Sequence, residues 1–309
     1  MQGMRLRRRR CHDGFNMAAH PRHPGDTRLK LPSWMLRGVV AAVVTLLGGV
    51  NFEAQQRKWI FQVAPHTDPT SEQESVEVQE KWIDYASQET GAPVRLHALW
   101  MPQVQAGAPV LLYLHGARWD VRSSAHRMQQ LHELGFSVLG IDYRGFGQST
   151  AGLPSEQMAC EDARSAWLWL TQQHPHAARY VYGHSLGGAI AIQLASEVSD
   201  AAGLIVEGTF TSIPEVFSSF KWGWAPLAPL ITERFDSAQR VAQIKAPVLV
   251  VHGSDDELIR PELGRALFER ITAPKRFLLV QGGSHHDTHA VGHAQYREAL
   301  RDLFGISVA

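Results

Sequence analysis

Cysteine is nearly missing from this chain. Cys11 and Cys160 are the two in 309 residues, so no disulfide framework holds it together. Cys160 falls within a helical pattern and reads as a small packing residue rather than a nucleophile. Net charge is also lacking, with 30 Lys or Arg against 30 Asp or Glu. No internal repeat recurs, which excludes solenoids and propellers. No uncharged apolar run reaches the roughly 20 residues of a membrane-spanning helix. The longest, residues 38–50, is about the length of a signal-peptide core. What remains is a chain of ordinary apolar content, long enough for one large domain with appendages.

The charge that cancels overall is unevenly spread. Residues 1–58 hold eleven Lys or Arg, four of them the run Arg7 to Arg10, against Asp13, Asp26 and Glu53. The rest of the chain is correspondingly acidic, which argues against nucleic acid as a partner of the body. Residues 1–33 read as a basic disordered tail, or as an overlong start with initiation at Met17 or Met35. Residues 34–50 read as an uncleaved signal anchor, with a cleaved signal peptide as the alternative. Most basic residues precede this segment, so its N-terminus is expected in the cytoplasm and the body beyond the membrane. The alternative is secretion after cleavage. Residues 51–75 look like a connector, in which Trp59-Ile60-Phe61 forms an apolar island able to dock on the body.

The body, residues 76–309, alternates between strands and helices. Strands are expected at 76–85, 94–100, 109–114, 135–141, 180–182, 204–207, 246–252 and 275–280. Helices are expected at 123–134, 155–173, 187–195, 236–244, 261–271 and 291–304. The middle strands are continuous apolar runs, as strands buried on both faces must be. The alternation implies an α/β fold with a mostly parallel sheet and helices on both faces. One stretch breaks the rhythm. Residues 208–235 carry Pro214, Pro226 and Pro229 with Phe210, Phe217, Phe220, Trp222 and Trp224, and read as a cap insertion. Its aromatics suit either an apolar substrate pocket or a satellite core.

The chemistry centres on Gly183-His184-Ser185-Leu186-Gly187, set between a strand and a helix. A sharp strand-to-helix turn strains the serine backbone and leaves no room for bulk two residues away, which is why glycine flanks it. A serine hydroxyl is a weak nucleophile and needs a base, and the base needs an acid to orient it. Two later strands open into loops at the carboxyl end of the sheet, where ligand sites gather. The first loop holds Asp255 and Asp256. The second holds His285 and His286.

These stretches, with Leu114-His115-Gly116, the loop Asp142 to Ser149, and Phe210-Thr211-Ser212-Ile213, occur in an order that resembles the α/β-hydrolase superfamily of serine hydrolases. The likeness is greatest to membrane-anchored α/β-hydrolase-domain proteins and serine aminopeptidase-like hydrolases. It implies the α/β-hydrolase fold and a catalytic triad of Ser185, Asp256 and His285, with Asp255 and His286 as the neighbouring alternatives. It departs from the family pattern at Ser284, where glycine is usual, and at Arg260, where proline is common. It implies an oxyanion hole from the backbone N–H groups of Leu186 and Ala117. It gives His115, His184 and His252 structural positions. Asp142 and Arg144 are expected to brace the loop after their strand. The spacing of His285, His286, His289 and His293 also suits a metal, but the start of a helix explains it, and no metal or cofactor is expected.

The expectation is a serine hydrolase cleaving a carboxylic ester or thioester through an acyl-enzyme. Its substrate would be a small or lipid-like acyl compound, with Trp119, Phe210, Phe217, Trp222 and Trp224 as candidate binding residues. Arg118 and Asp120 also lie near enough to the oxyanion loop to touch substrate. An ester is favoured over a peptide because no clear acidic site for a substrate amine is seen. The alternatives are an acyltransferase or peptidase using the same triad, or a binding protein on the same fold.

Overall fold

Eight strands form one sheet in the order β1-β2-β4-β3-β5-β6-β7-β8 in the computed structural model, which describes residues 51–64, 77–219 and 228–306. The strands are β1 (Gln79–Ala86), β2 (Pro93–Met101), β3 (Val110–Leu114), β4 (Ser137–Ile141), β5 (Arg179–His184), β6 (Gly203–Glu207), β7 (Val248–Gly253) and β8 (Lys275–Val280). The expected edge pair is present: β1 runs antiparallel to β2, and β2 antiparallel to β4. Every other pairing is parallel. The basic tail, the apolar segment at 34–50, the polar link at 65–75 and the cap residues 220–227 lie outside the described residues. Among the described residues no helix is long and apolar enough to cross a membrane.

The apolar runs are continuous because each middle strand serves two cores. In β3, Val110, Leu112 and Leu114 join one core and Leu111 and Tyr113 the other. The first core lies under α3 (Glu156–Gln173), α4 (Leu186–Glu197) and α7 (Pro261–Arg270), and the second under α2 (Ala125–Glu133) and α9 (His293–Phe304). Local signals set the helix ends. Ser155 caps α3 by accepting from the Met158 N–H at 3.2 Å. Pro261 opens α7, where a missing N–H costs nothing. Gly305 closes α9 in the left-handed conformation.

Three stretches differ from the expected elements. Residues 51–61, read as the start of a connector, form a helix, α1. Its last turn buries Ile60 and Phe61, the latter at 0% exposure with its ring 6.3 Å from Phe146 and 6.0 Å from Phe235. The helix expected at 236–244 is one α-turn, α6 (Ser237–Arg240), then a 3₁₀ turn at Val241–Gln243. Its buried anchors Val241 and Ile244 are three residues apart, a spacing that a 3₁₀ turn stacks on one side. The closing helix, expected from 291, starts at His293 as α9, and a separate turn, α8 (Thr288–Val291), precedes it across Gly292, where a Cβ would lie 2.6 Å from Val280 Cγ2. Within the cap, α5 (Ile213–Ser219) and a 3₁₀ turn at Ala228–Leu230 are described.

Candidate functional site

Ser185 stands between β5 and α4 with φ 55° and ψ −121°, a conformation disfavoured for a residue with a side chain. The glycines around it are dictated by contact. A Cβ on Gly183 would lie 2.2 Å from Gly187 O, and one on Gly187 would lie 2.1 Å from Leu114 O. The turn is pinned from both sides, since the Ser185 N–H donates to Glu207 O at 2.9 Å and Ser185 O accepts from Thr209 Oγ1 at 2.9 Å. Serine's own hydroxyl lies at the N-terminus of α4, where backbone N–H groups have no helical acceptor.

The loop after β3 comes close to this turn. A Cβ on Gly116 would lie 3.2 Å from Ser185 Cβ, so Gly116, the residue before Ala117, packs against the Ser185 turn. The loop is braced from behind. His115 Nδ1 donates to Gly116 O at 2.7 Å, and Tyr143 Oη donates to His115 O at 3.1 Å. Asp142, fully buried, accepts from the Val121 N–H at 2.7 Å and pairs with His97 Nδ1 at 2.9 Å. Arg144 pairs with Asp162 at 2.8 Å and also reaches Glu161 and Ser87. Both residues therefore brace their loop, as expected. On the outer side, Arg118 adopts φ 78° and is clamped by residues after α1. Its N–H donates to Phe61 O at 2.9 Å, its carbonyl accepts from the Ala64 N–H at 3.1 Å, and its Nε donates to Gln62 Oε1 at 2.7 Å.

The two loops beyond β7 and β8 bring Asp256 and His285 together. His285 Nδ1 and Asp256 Oδ2 are 2.8 Å apart, and both residues are buried. The neighbouring alternatives are not so placed. Asp255 is exposed and takes the Ser254 hydroxyl, and His286 is exposed. Asp256 Oδ1 accepts from the N–H groups of Leu258 at 3.0 Å and Ile259 at 2.8 Å. His252 Nε2, which donates to Ile259 O at 2.7 Å, also lies 3.3 Å from Asp256 Oδ2. Burial alone would raise the Asp256 carboxyl. The hydrogen bonds from His252 and His285, the electrostatic attraction of His285 and the Ile259 N–H outweigh it and hold the carboxyl well below its usual range. A carboxylate at Nδ1 fixes that nitrogen as the donor and leaves Nε2 as the proton acceptor. His184 Nε2 bonds to His285 O at 2.9 Å, and burial, then Arg127, keeps this imidazole neutral.

Of the candidate binding residues, Trp119 is 53% exposed beside a cavity of about 360 Å³ bordered by Ala64, Arg118, Asp120 and Phe146. Phe217 meets Trp59 of α1 edge-on, with centroids 6.2 Å apart. Phe210 is 2% exposed in the core on the α3 and α4 side. Trp222 and Trp224 lie outside the described residues. Among the described residues, no group of three or more His, Cys, Asp or Glu is arranged to hold a metal ion. Sequence reading passed over Arg127 and Glu207, a buried ion pair whose arginine reaches His286 O in the loop after β8. The signal for each was a charge on an apolar pattern. Arg127 shares a helix face with Leu131 and Leu134, and Glu207 ends the run Leu204-Ile205-Val206.

Comparison with known proteins bears on the family and the fold. The family model described as serine aminopeptidase, S33, matches residues 106–238. An uncharacterized protein of Mycobacterium tuberculosis is 34% identical over 268 residues, covering 85% of this chain and 92% of its own length. Protein bem46 of Schizosaccharomyces pombe is 32% identical over 267 residues, covering 81% and 87%. Lysophosphatidylserine lipase ABHD12 of Danio rerio is 34% identical over 184 residues, covering 53% of this chain and 48% of that one, so the chain spans about half of that relative's length. The esterase Pf2001 of Pyrococcus furiosus superposes with a TM-score of 0.62 at 19% identity, covering 79% of this chain and 100% of that one, a likeness of fold.

Proposed function

We propose, from the premise that this chain belongs to the α/β-hydrolase superfamily of serine hydrolases, that it cleaves a carboxylic ester or thioester through an acyl-enzyme on Ser185. In this reading His285 Nε2 takes the proton as Ser185 Oγ attacks the carbonyl carbon. Asp256 stabilises the imidazolium, and His285 returns the proton to the leaving group. Water, deprotonated by the same nitrogen, then attacks the acyl carbon and frees Ser185. The N–H groups of Leu186 and Ala117 hold the oxyanion, and each such donor is worth about 3 kcal/mol in the transition state. The observation that carries the reading is the 2.8 Å His285–Asp256 pair, on loops beyond the strand ends that flank a strained serine turn.

The name of one relative, lysophosphatidylserine lipase, and the exposed Trp119 favour a lipid-like ester. The apolar segment at 34–50 would hold the enzyme at a membrane where such esters reside, with the body on the extracytoplasmic side. A peptidase reading has the name of the matching family in its favour. It needs a carboxylate for the substrate ammonium. Asp120, which follows the oxyanion loop in the chain, is 7% exposed and already accepts from the Ser123 N–H and hydroxyl.

The test is labelling of the full-length protein by a fluorophosphonate probe, followed by turnover of esters of increasing acyl length and of aminoacyl amides. Ser185→Ala should abolish labelling and lower kcat by at least about 10³-fold. Labelling and turnover that survive in the variant would refute the assignment. Amides cleaved faster than esters would replace the esterase reading with the peptidase one.

A further inference from the structure

We infer that Arg127, held by Glu207, is a positioning residue that fixes the base loop against the nucleophile turn. This rests on the proposed roles of Ser185 and His285. Arg127 lies on α2, contributes nothing to the triad, and is 5% exposed. Its Nη1 donates to Glu207 Oε1, and its Nη2 donates to His286 O at 3.0 Å. Glu207 is 1% exposed at the end of β6, and its backbone oxygen is the acceptor for the Ser185 N–H at 2.9 Å. A continuous connection therefore runs from the Ser185 amide, through Glu207 and the guanidinium, to the carbonyl next to His285.

Both ends of this connection have further partners. Glu207 Oε2 accepts from Tyr296 Oη on α9, so neither carboxylate oxygen is left without a donor. The carbonyl of His285 itself is held by His184, the residue before the nucleophile. The base loop is thus tied at two consecutive carbonyls, once directly to the nucleophile turn and once through Arg127.

The chemistry of the pair favours positioning over stability. Removing two charges from water costs roughly what their attraction returns, so an apolar pair of similar volume would hold the fold as well. An apolar pair could not hold a carbonyl. The planar fork of arginine serves two acceptors on two separate elements at once, and an ammonium at the same place has neither the reach nor the geometry. Burial works against ionised Glu207, but the adjacent guanidinium outweighs it and keeps the carboxyl below its usual range, so both groups remain charged.

The experiment compares full-chain wild type with Arg127→Lys, Tyr296→Phe and Ser185→Ala. It measures melting temperature, kcat and KM on a short-chain p-nitrophenyl ester, with active sites counted by fluorophosphonate labelling. Arg127→Lys keeps the charge opposite Glu207 but loses the second contact. It should lower kcat per labelled site by about 10- to 100-fold, the penalty of a misplacement near 1 Å, with KM changed less than about twofold. Tyr296→Phe removes a bond to Glu207 but leaves both Arg127 contacts, so it should lower the melting temperature and leave kcat per site unchanged. Wild-type kcat in Arg127→Lys, or a fall in kcat that tracks melting temperature in both variants, would overturn the proposal. If Arg127→Lys does not fold, Glu207→Gln takes its place, and the same kcat loss at constant KM is required of it. Ser185→Ala decides separately, because turnover surviving there would refute the triad reading whatever Arg127 shows.

Discussion

Starting the chain at residue 76 instead of residue 51 should cripple it, although neither start touches a proposed catalytic residue. Residues 51–64 supply Phe61, fully buried between Phe146 and Phe235, and loss of a buried phenylalanine ring costs about 3–5 kcal/mol. They supply the acceptor for the Arg118 N–H and the donor to its carbonyl, each worth about 1 kcal/mol net. They also hold Arg118 at φ 78°, where a residue with a Cβ is disfavoured by about 1–2 kcal/mol, a strain that relaxes without them and so does not add to the loss. The sum is at least about 5 kcal/mol, against a net stability of about 5–15 kcal/mol for a folded protein. For a body of this size each kcal/mol is worth about 2–4 °C, so melting should fall by about 10–20 °C. The assay is differential scanning fluorimetry with ester turnover on chains starting at 51 and at 76, and on full-length Phe61→Ala. The shorter chain should lose both stability and kcat. Phe61→Ala should lie between, with kcat falling because the loop carrying the Ala117 N–H has lost its backing. A chain starting at 76 that melts within about 3 °C of the longer one, at equal kcat, would refute the reasoning.

Two further outcomes follow from the site. Asp256→Asn keeps an oxygen for the Leu258 and Ile259 N–H groups, so it should fold, but it turns an amide NH₂ toward His285 Nδ1 and imposes the wrong tautomer. Its kcat should drop about 10⁴-fold, as such a change does in serine proteases, and a drop of less than about tenfold would remove Asp256 from the acid role. The second concerns pH. Burial lowers His289 to about 4 despite nearby Glu207, so between the unfolded value of 6.5 and about 4 the unfolded state holds more protons, and stability falls as pH drops through that window. The full loss is about 3 kcal/mol. Asp162, raised to about 6 by burial, works the other way, since the stability it contributes when protonated is lost as pH rises from 3.8 toward 6. The His289 part is therefore read as a difference. Urea midpoints at pH 7 to 4 should slope less in His289→Phe than in wild type, and equal slopes would contradict the assignment. Asp256 acts lower still, because its depressed carboxyl gives stability that is lost only as pH falls below the ordinary carboxylate range.

The strands were legible because burial on both faces writes itself as an unbroken apolar run, and Leu111 to Leu114 could be little else. The nucleophile turn was legible because its glycines are forced by atoms in contact, a constraint that leaves the same letters wherever the turn is built. Asp256 and His285 were legible only as neighbours of Asp255 and His286. Nothing in adjacent letters tells which carboxylate turns inward, and that is decided by the N–H groups of Leu258 and Ile259 closing around one of them. Phe61 was visible as an apolar island, but its partners are Phe146 and Phe235, far away in sequence, so the strap it forms behind the oxyanion loop could not be read. Arg127 left only a faint mark, a charge on the helix face of Leu131 and Leu134. A lone arginine on a helix usually extends to solvent, so that mark alone does not say that this one turns inward.

The strain at Ser185 ties these observations together. A φ of 55° with ψ of −121° costs about 1–3 kcal/mol and survives only where the surroundings leave no alternative. Here they do so on every side. β5 is paired with β3 and β6, so the residues before the turn cannot rotate. Nine of the twelve residues of α4 are buried, so the residues after it cannot slide. The amide of Ser185 is bonded to Glu207, and its carbonyl to Thr209 and to the Gly188 N–H. A hydroxyl mounted on such a frame keeps one position relative to the strand ends. Its base must then be brought to it, because it cannot move to meet the base. That demand falls on the loop bearing His285, which belongs to no strand or helix and is held by hydrogen bonds, among them Asp255 N–H to Gly283 O and Thr288 Oγ1 to Ser284 O. His184 and Arg127 hold the next two carbonyls, those of His285 and His286, and that is the physical reason for a charged pair in the core between two loops.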